Sequence, residues 1–428
     1  MLDLKYIRDH LEEVKTNIAN RNMSADPDRV VALSDERSRL IQQLDELRQA
    51  RNEHAKKMKG PMDPQTREQL IAAGKSIKDK IPALESELNA TENLLTLELG
   101  KIPNMAHPDA PIGKEDKDNL EILRVGDPRQ FAFQAKDHVE LGKSLDIIDF
   151  ETGAQVSGSK FYYLKNEGVF LELALVRYAM DLLQKRGFTP VITPDIAKEE
   201  VLEGIGFNPR GEESNIYALE GTGTCLVGTA EITLGGYHMG QMLQEADLPI
   251  MYAGLSHCFR REAGAAGQFS KGLYRVHQFT KVEMFVYCLP HQSAEIHEKL
   301  RAIEEELFTS LDIPFRVVDT CTGDLGAPAY RKYDLEAWMP GRGEAGDWGE
   351  ITSTSNCTDY QARRLGVRYK GESGKGFVHM LNGTAIAISR AIISILENFQ
   401  NEDGSVSMPK ALVPYLGFDS IRPRSPRG

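Results

Sequence analysis

A chain of 428 residues is too long for one ordinary hydrophobic core and points to two or three domains. At 41% hydrophobic and 27% charged residues it reads as globular, and its formal charge of -12 excludes indiscriminate coating of nucleic acid. No apolar run approaches the roughly 18 residues of a membrane span, and five cysteines without a CxxC spacing predict reduced thiols, a cytoplasmic compartment and no zinc site.

The chain opens on "MLDLKYIRDHLEEVK", an amphipathic helical pattern carrying acids, unlike the basic and apolar layout of a signal peptide. From Val30 the positions fall into heptads: Leu33, Leu40, Leu47 and His54, interleaved with Val30, Arg37, Leu44, Arg51 and Met58. A second series, Leu70, Ile77, Leu84 and Thr91 interleaved with Gly74, Ile81, Leu88 and Leu95, follows "GPMDP" at 60–64. Two helices of roughly 30 residues, broken by glycine and proline, predict an antiparallel coiled-coil hairpin about 45 Å long. Pro82 removes a backbone donor midway along the second helix, which predicts a kink.

On heptads alone such a hairpin reads as readily as a dimerisation or spacer element as it does as a binding arm, and its charge points further. Residues 48–80 hold nine Lys/Arg against four acids, whereas 28–47 and 81–100 are net acidic. A basic end on an acidic protein suits a polyanion. The candidate contacts are Arg48, Arg51, Lys56, Lys57, Lys59, Lys75 and Lys78. Residues 1–100 therefore read as a helical domain, and the proline- and charge-rich 101–119 as a linker. Residues 120–428 mix helices with alternating strands and predict an α+β domain on an antiparallel sheet, closing on a tail, "SIRPRSPRG", read as disordered.

Within that domain, "CFRREAGAAGQFSKGLYRVHQFTKVEMF" (258–285) reads as a hairpin. A period of two places His277, Phe279, Lys281 and Glu283 on one face, and Arg260 and Glu262 on one face of the partner strand. A guanidinium fits phosphate oxygens, a carboxylate accepts from an amino group and a phenyl ring offers a stacking surface. The pattern is either a nucleotide site or a salt-bridged surface hairpin. No P-loop signature occurs, "GTGTCLVG" fails the dinucleotide fingerprint and "HEKLR" is not a zinc HExxH.

"FRRE" followed by "LYRVHQFTKVE" resembles motif 2 of class II aminoacyl-tRNA synthetases, in the form used by seryl-tRNA synthetases of bacterial and organellar type. "GFTPVITPDI" resembles motif 1 with its closing Pro194, "VGTAEITL" the serine loop, and "LNGTAIAISRAIISILENFQ" motif 3 with Arg390. "VSGSKFYYL" and "MPKALVPYLG" also match that family's signatures, so the resemblance covers essentially the whole chain. Departures are small: Lys160 stands where many relatives have arginine, and "EITSTSN" replaces a more usual Ser/Cys-rich run.

The resemblance implies a class II catalytic domain over 120–428 and a tRNA-binding arm within 1–100. It implies that serine attacks the α-phosphorus of ATP, that pyrophosphate leaves, and that the seryl group passes to the end of serine tRNA, with selenocysteine tRNA as a candidate second acceptor. Arg260, Glu283 and Arg390 would be catalytic, and Thr229, Ala230, Glu231, Glu283 and Thr384 would take serine. ATP would fall to Arg260, Arg261, Glu262, Val276, Phe279, Glu350, Ile351, Thr352, Ser353 and Arg390, with Glu350 and Ser353 holding magnesium. Motif 1, Gly187 to Pro194, implies a homodimer in which the arm of one subunit guides tRNA to the other. A paralogue that has lost charging and acts as an RNA-binding partner is the alternative, and it should have lost Arg260, Glu283 or Arg390.

Overall fold

The computed structural model describes residues 1–208, 214–263, 269–372 and 374–424, and the chain divides into two compact units, Met1–Met105 and Ala106–Gly428. In the first, the expected opening helix is split. Helix α1, Leu4–Asp9, ends at His10, whose φ/ψ of -126°/37° turns the chain into α2, Leu11–Asn20. Ile7, Val14 and Ile18 are all buried, so the apolar stripe survives the break.

Helices α3 (Pro27–Lys57) and α4 (Pro64–Lys101) form the hairpin. Each starts on an aspartate N-cap followed by proline at the first helical position: Asp26 accepts from Arg29 N–H at 3.0 Å and Asp63 from Thr66 N–H at 2.9 Å. The heptads supply the seam, with Val30, Leu40 and Leu44 buried on α3 and Ile81, Thr91 and Leu95 on α4. Arg51 departs from it and is exposed. His54 stays in it, its Nε2 2.7 Å from Leu70 O, and a Cβ on Gly74 would come within 2.8 Å of the ring. Helix α4 continues through Pro82 as one element. Ion pairs cross between the helices, Arg37 to Glu92 and Arg48 to Glu85, both at 2.9 Å.

The second unit is built on eight strands: β1 Leu120–Val125, β2 Thr189–Ile192, β3 Ile250–Phe259, β4 Gln278–Cys288, β5 Phe315–Asp319, β6 Arg331–Met339, β7 Asp347–Asn356 and β8 His379–Ala387. Their spatial order is β1-β5-β6-β7-β8-β4-β3-β2, antiparallel throughout except β2 with β3. Five helices bear on the site: α5 His138–Ser144, α6 Glu167–Lys185, α7 Ala230–Gly236, α8 Ser293–Ser310 and α9 Ile388–Asn398. Apolar residues at helical spacing, Leu171 and Leu175 of α6, Leu300 and Leu307 of α8, and Ile392 and Leu396 of α9, share one core with Val282, Met284 and Val286 of β4. Alternation leaves Lys281 and Glu283 on the other face of β4.

Of the 101–119 stretch, Ile102 is buried within the first unit, while His107 N–H donates to Tyr330 O at 2.8 Å within the second. The tail expectation needs correction. Ser420–Ile421 pairs with Val406–Ser407, Ile421 is buried and Arg424 donates to Glu167 at 2.8 Å, because one apolar residue among the prolines and arginines finds a local strand to join. Residues 425–428 lie outside the described residues. No helix among the described residues is long and apolar enough to cross a membrane.

Candidate active site

Strands β4, β7 and β8, with the starts of α7 and α9, enclose one cleft on the face away from the core. Alternation brings Phe279, Lys281 and Glu283 of β4 into it. Strand β8 reaches it through a bulge: pairing passes from Val282–Ile386 to Glu283–Thr384, leaving Ala385 as the extra residue. Strand β7 does the same against β6, where Glu336–Glu350 is followed by Leu335–Thr352 and Ile351 is extra. Because paired residues share a face, Glu350 and Ser353 come to lie on one side although they are three apart in sequence.

Arg260 and Glu262 do not sit on the partner strand. Strand β3 ends at Phe259, and Glu262 has a φ of +50°, so both enter the cleft from the turn beyond it. Arg260 Nε donates to Gly228 O at 3.2 Å, and its guanidinium carbon lies 5.3 Å from the centre of the Phe279 ring. Glu262 accepts from Arg275 at 3.1 Å. His277, expected beside Phe279, precedes β4 and is outside the lining; its Nδ1 is 2.8 Å from Arg260 O.

At one end of the cleft, oxygen atoms converge. Thr229 caps α7 and its hydroxyl donates to Glu283 at 3.3 Å; Thr384 Oγ1 lies 3.5 Å from the same carboxylate oxygen, and the Lys281 ammonium is ion-paired to it. Glu231 accepts from Gln361 at 2.8 Å and Asn382 at 2.9 Å. Burial, and then the like charge of Glu283, pushes the Glu231 carboxyl up to about 7. This end suits a ligand bearing an ammonium and a hydroxyl.

At the other end, Arg390 in the first turn of α9 donates to Glu350 O at 2.8 Å, lies 3.4 Å from the Glu350 carboxylate and packs 4.7 Å over the Tyr274 ring. Burial acts to raise the Glu350 carboxyl, but Arg390, Lys332 and Arg260 outweigh it and hold it below the ordinary glutamate range. Val276, Ile351, Thr352 and Ser353 complete the wall. Two guanidinium groups beside an ionised carboxylate suit a phosphate chain with a bound cation.

Besides His277, two residues expected to take a substrate fall outside the lining. Ala230 is in the core, and Arg261 is exposed, with its N–H donated to Asn215 O at 2.9 Å. Conversely, Lys281, Asn382, Tyr274, Arg275 and Ser389 line the cleft without having been assigned a role. Lys281 and Asn382 are legible as the residues two before Glu283 and Thr384, whereas Tyr274 closes a short 3-10 turn that has no periodic signal. On the first unit, Arg48 is engaged by Glu85, while Lys56, Lys57, Lys59, Lys75 and Lys78 are exposed and have no ion pair among the described residues.

The chain resembles known proteins over its whole length. The model of the seryl-tRNA synthetase N-terminal domain matches residues 1–106, and that of the tRNA synthetase class II core domain (G, H, P, S and T) matches residues 219–399. The chain is 64% identical over 422 residues to a serine--tRNA ligase of Treponema denticola, covering 98% of this chain and 100% of the relative. It is 56% identical over 424 residues to that of Rubrobacter xylanophilus, covering 99% of each. Among solved structures, the seryl-tRNA synthetase of Pyrococcus horikoshii complexed with ATP is similar at a TM-score of 0.90 and 41% identity, over 99% of this chain and 100% of that one.

Proposed function

The chain belongs to the seryl-tRNA synthetase family, and from that premise we propose how its residues serve the reaction. The protein activates serine with ATP and transfers the seryl group to tRNA. The observation that carries the assignment of residues is the polarity of the cleft, with Thr229, Glu231, Glu283 and Thr384 at one end and Arg260 and Arg390 toward the other.

Serine places its ammonium against Glu231 and Thr229 and its hydroxyl against Glu283 and Thr384. Lys281, ion-paired to Glu283, balances the charge that this carboxylate brings into the cleft. Arg260 then steadies the α-phosphate while the serine carboxylate attacks phosphorus and pyrophosphate leaves, a step governed by positioning and charge neutralisation. Phe279 stacks on adenine, Glu262 with the backbone at Val276 reads its edge, and Arg390 holds the far phosphate.

Magnesium fits the donor set: Glu350 is held ionised, and the bulge puts the Ser353 hydroxyl on the same side, two hard oxygen ligands for a hard cation. When bound, the ion neutralises charge along the triphosphate. A homodimer is supported by large apolar side chains left in water around motif 1, Phe170 at 58%, Leu173 at 60% and Ile192 at 81% exposure. The free lysines of the arm are assigned to the tRNA backbone, and the compartment to the cytoplasm. Serine-dependent exchange of pyrophosphate into ATP, followed by charging of serine tRNA, tests the whole reading. Exchange with alanine as fast as with serine would overturn the serine end, because a site built to bond a hydroxyl rejects the analogue lacking it.

A further inference from the structure

Away from the cleft, α5 and α9 meet in a buried pair. His138 Nδ1 lies 2.7 Å from Glu397 Oε1, with side chains 1% and 2% exposed. On the opposite edge of the ring, the backbone N–H of Leu273 donates to Nε2 at 3.1 Å. A ring nitrogen that accepts carries no proton, so the imidazole is neutral and its one proton, on Nδ1, is donated to Glu397. The same carboxylate accepts from His138 N–H at 3.0 Å and from Gly341 N–H at 2.8 Å. One glutamate thereby ties together the start of α5, the turn between β6 and β7 and, through the ring, the segment leading into β4.

The packing leaves no room for slack. A Cβ on Gly272, which has a φ of +57°, would stand 2.2 Å from His138 Nε2, and one on Gly341 would stand 2.8 Å from Glu397 Oε1. What the clamp holds is part of the cleft: Leu273 is followed by Tyr274, Arg275 and Val276, all in its lining. Arg342, next to Gly341, packs 4.8 Å over the Tyr274 ring that Arg390 also covers.

We propose that His138 is a positioning residue whose Nε2 fixes the Leu273–Val276 segment, and with it the ATP half of the cleft, while leaving the serine half untouched; Glu397 seats the ring from its other edge. The proposal rests on the reading of that half as the ATP site. Two near-isosteric variants separate the contacts of the ring. In His138→Asn the amide stands near Nδ1 and keeps the bond to Glu397 but abandons Leu273. In His138→Gln the carbonyl oxygen stands near Nε2 and keeps the bond from Leu273.

Serine-dependent pyrophosphate exchange is measured as a function of ATP and of serine. The Asn variant should raise the KM for ATP about tenfold, the consequence of leaving a buried N–H without a partner. Its KM for serine should stay within about twofold, and the Gln variant should stay within about threefold of the parent in both. Equal ATP constants for Asn and Gln, or a serine constant that rises in step with that for ATP, would overturn the clamp. If the Asn variant does not fold, Gly272→Ala disturbs the same contact from the loop side, and an unchanged ATP constant there is likewise fatal to it. Absence of serine-dependent exchange in the parent protein would instead remove the ATP-site reading, so the two failures are distinct.

Discussion

Replacing Glu231 with glutamine should stabilise the ligand-free protein while weakening its hold on serine. The carboxyl is raised from 4.5 to about 7, by burial first and the charge of Glu283 second, and at ~1.4 kcal/mol per pH unit that rise corresponds to about 3 kcal/mol. A carboxyl whose folded pKa lies above its unfolded value is a source of stability only below the unfolded pKa. That contribution is lost as pH climbs from about 4.5 through about 7, and above this the buried charge opposes folding in full. The variant should therefore exceed the parent by up to about 3 kcal/mol near pH 8, and by less than about 1 kcal/mol near pH 5. Glutamine still offers an oxygen to Gln361 and Asn382, so their bonds survive. Serine, however, loses a charged acceptor for its ammonium, and its affinity should fall by about tenfold or more. Denaturation at both pH values and calorimetric titration of serine measure the two effects. A variant less stable than the parent near pH 8, or an advantage that does not shrink near pH 5, refutes the reasoning.

Arg260→Ala should abolish pyrophosphate exchange with a smaller change in serine binding, since the guanidinium serves the phosphate; an unchanged exchange rate in a folded variant places ATP elsewhere. Reversing Lys56, Lys57 and Lys59 to Glu should leave exchange near normal and greatly reduce tRNA charging, because phosphate contacts supply salt-sensitive affinity. If both reactions fall together the arm is structural, and if neither falls tRNA docks elsewhere. Gly74→Val should destabilise the coiled coil by about 1–3 kcal/mol, the usual range for overpacking, since even a Cβ there meets the His54 ring at 2.8 Å. Chemical denaturation of the variant reads that loss, and wild-type stability would mean that the His54 ring moves aside without penalty. Leu44→Ala should cost about 2–5 kcal/mol as a cavity in the seam, and a smaller loss measured the same way would show the two helices closing over it.

Local pattern was enough wherever a side chain's environment is set by its own neighbours in the chain. The heptads placed Leu40, Leu44, Ile81 and Leu95 in the seam because helical geometry repeats whatever the partner. Alternation placed Phe279, Lys281 and Glu283 together for the same reason. It failed at Arg260, Glu262 and His277, where the strands had already ended and backbone direction no longer alternates.

Tertiary structure alone decided the rest. Glu350 with Ser353, and Thr384 with Ala387, share a face only because β7 and β8 each carry an extra residue opposite a partner strand, and a bulge is a property of the pair that neither strand's sequence discloses. The Glu231 carboxyl is raised by burial first and by the charge of Glu283 second, and both follow from the packing of α7 on β4. His138 and Glu397, 259 residues apart, become one buried pair because folding removes both from water, where an imidazole and a carboxylate are stable together only when each finds its hydrogen-bond partners.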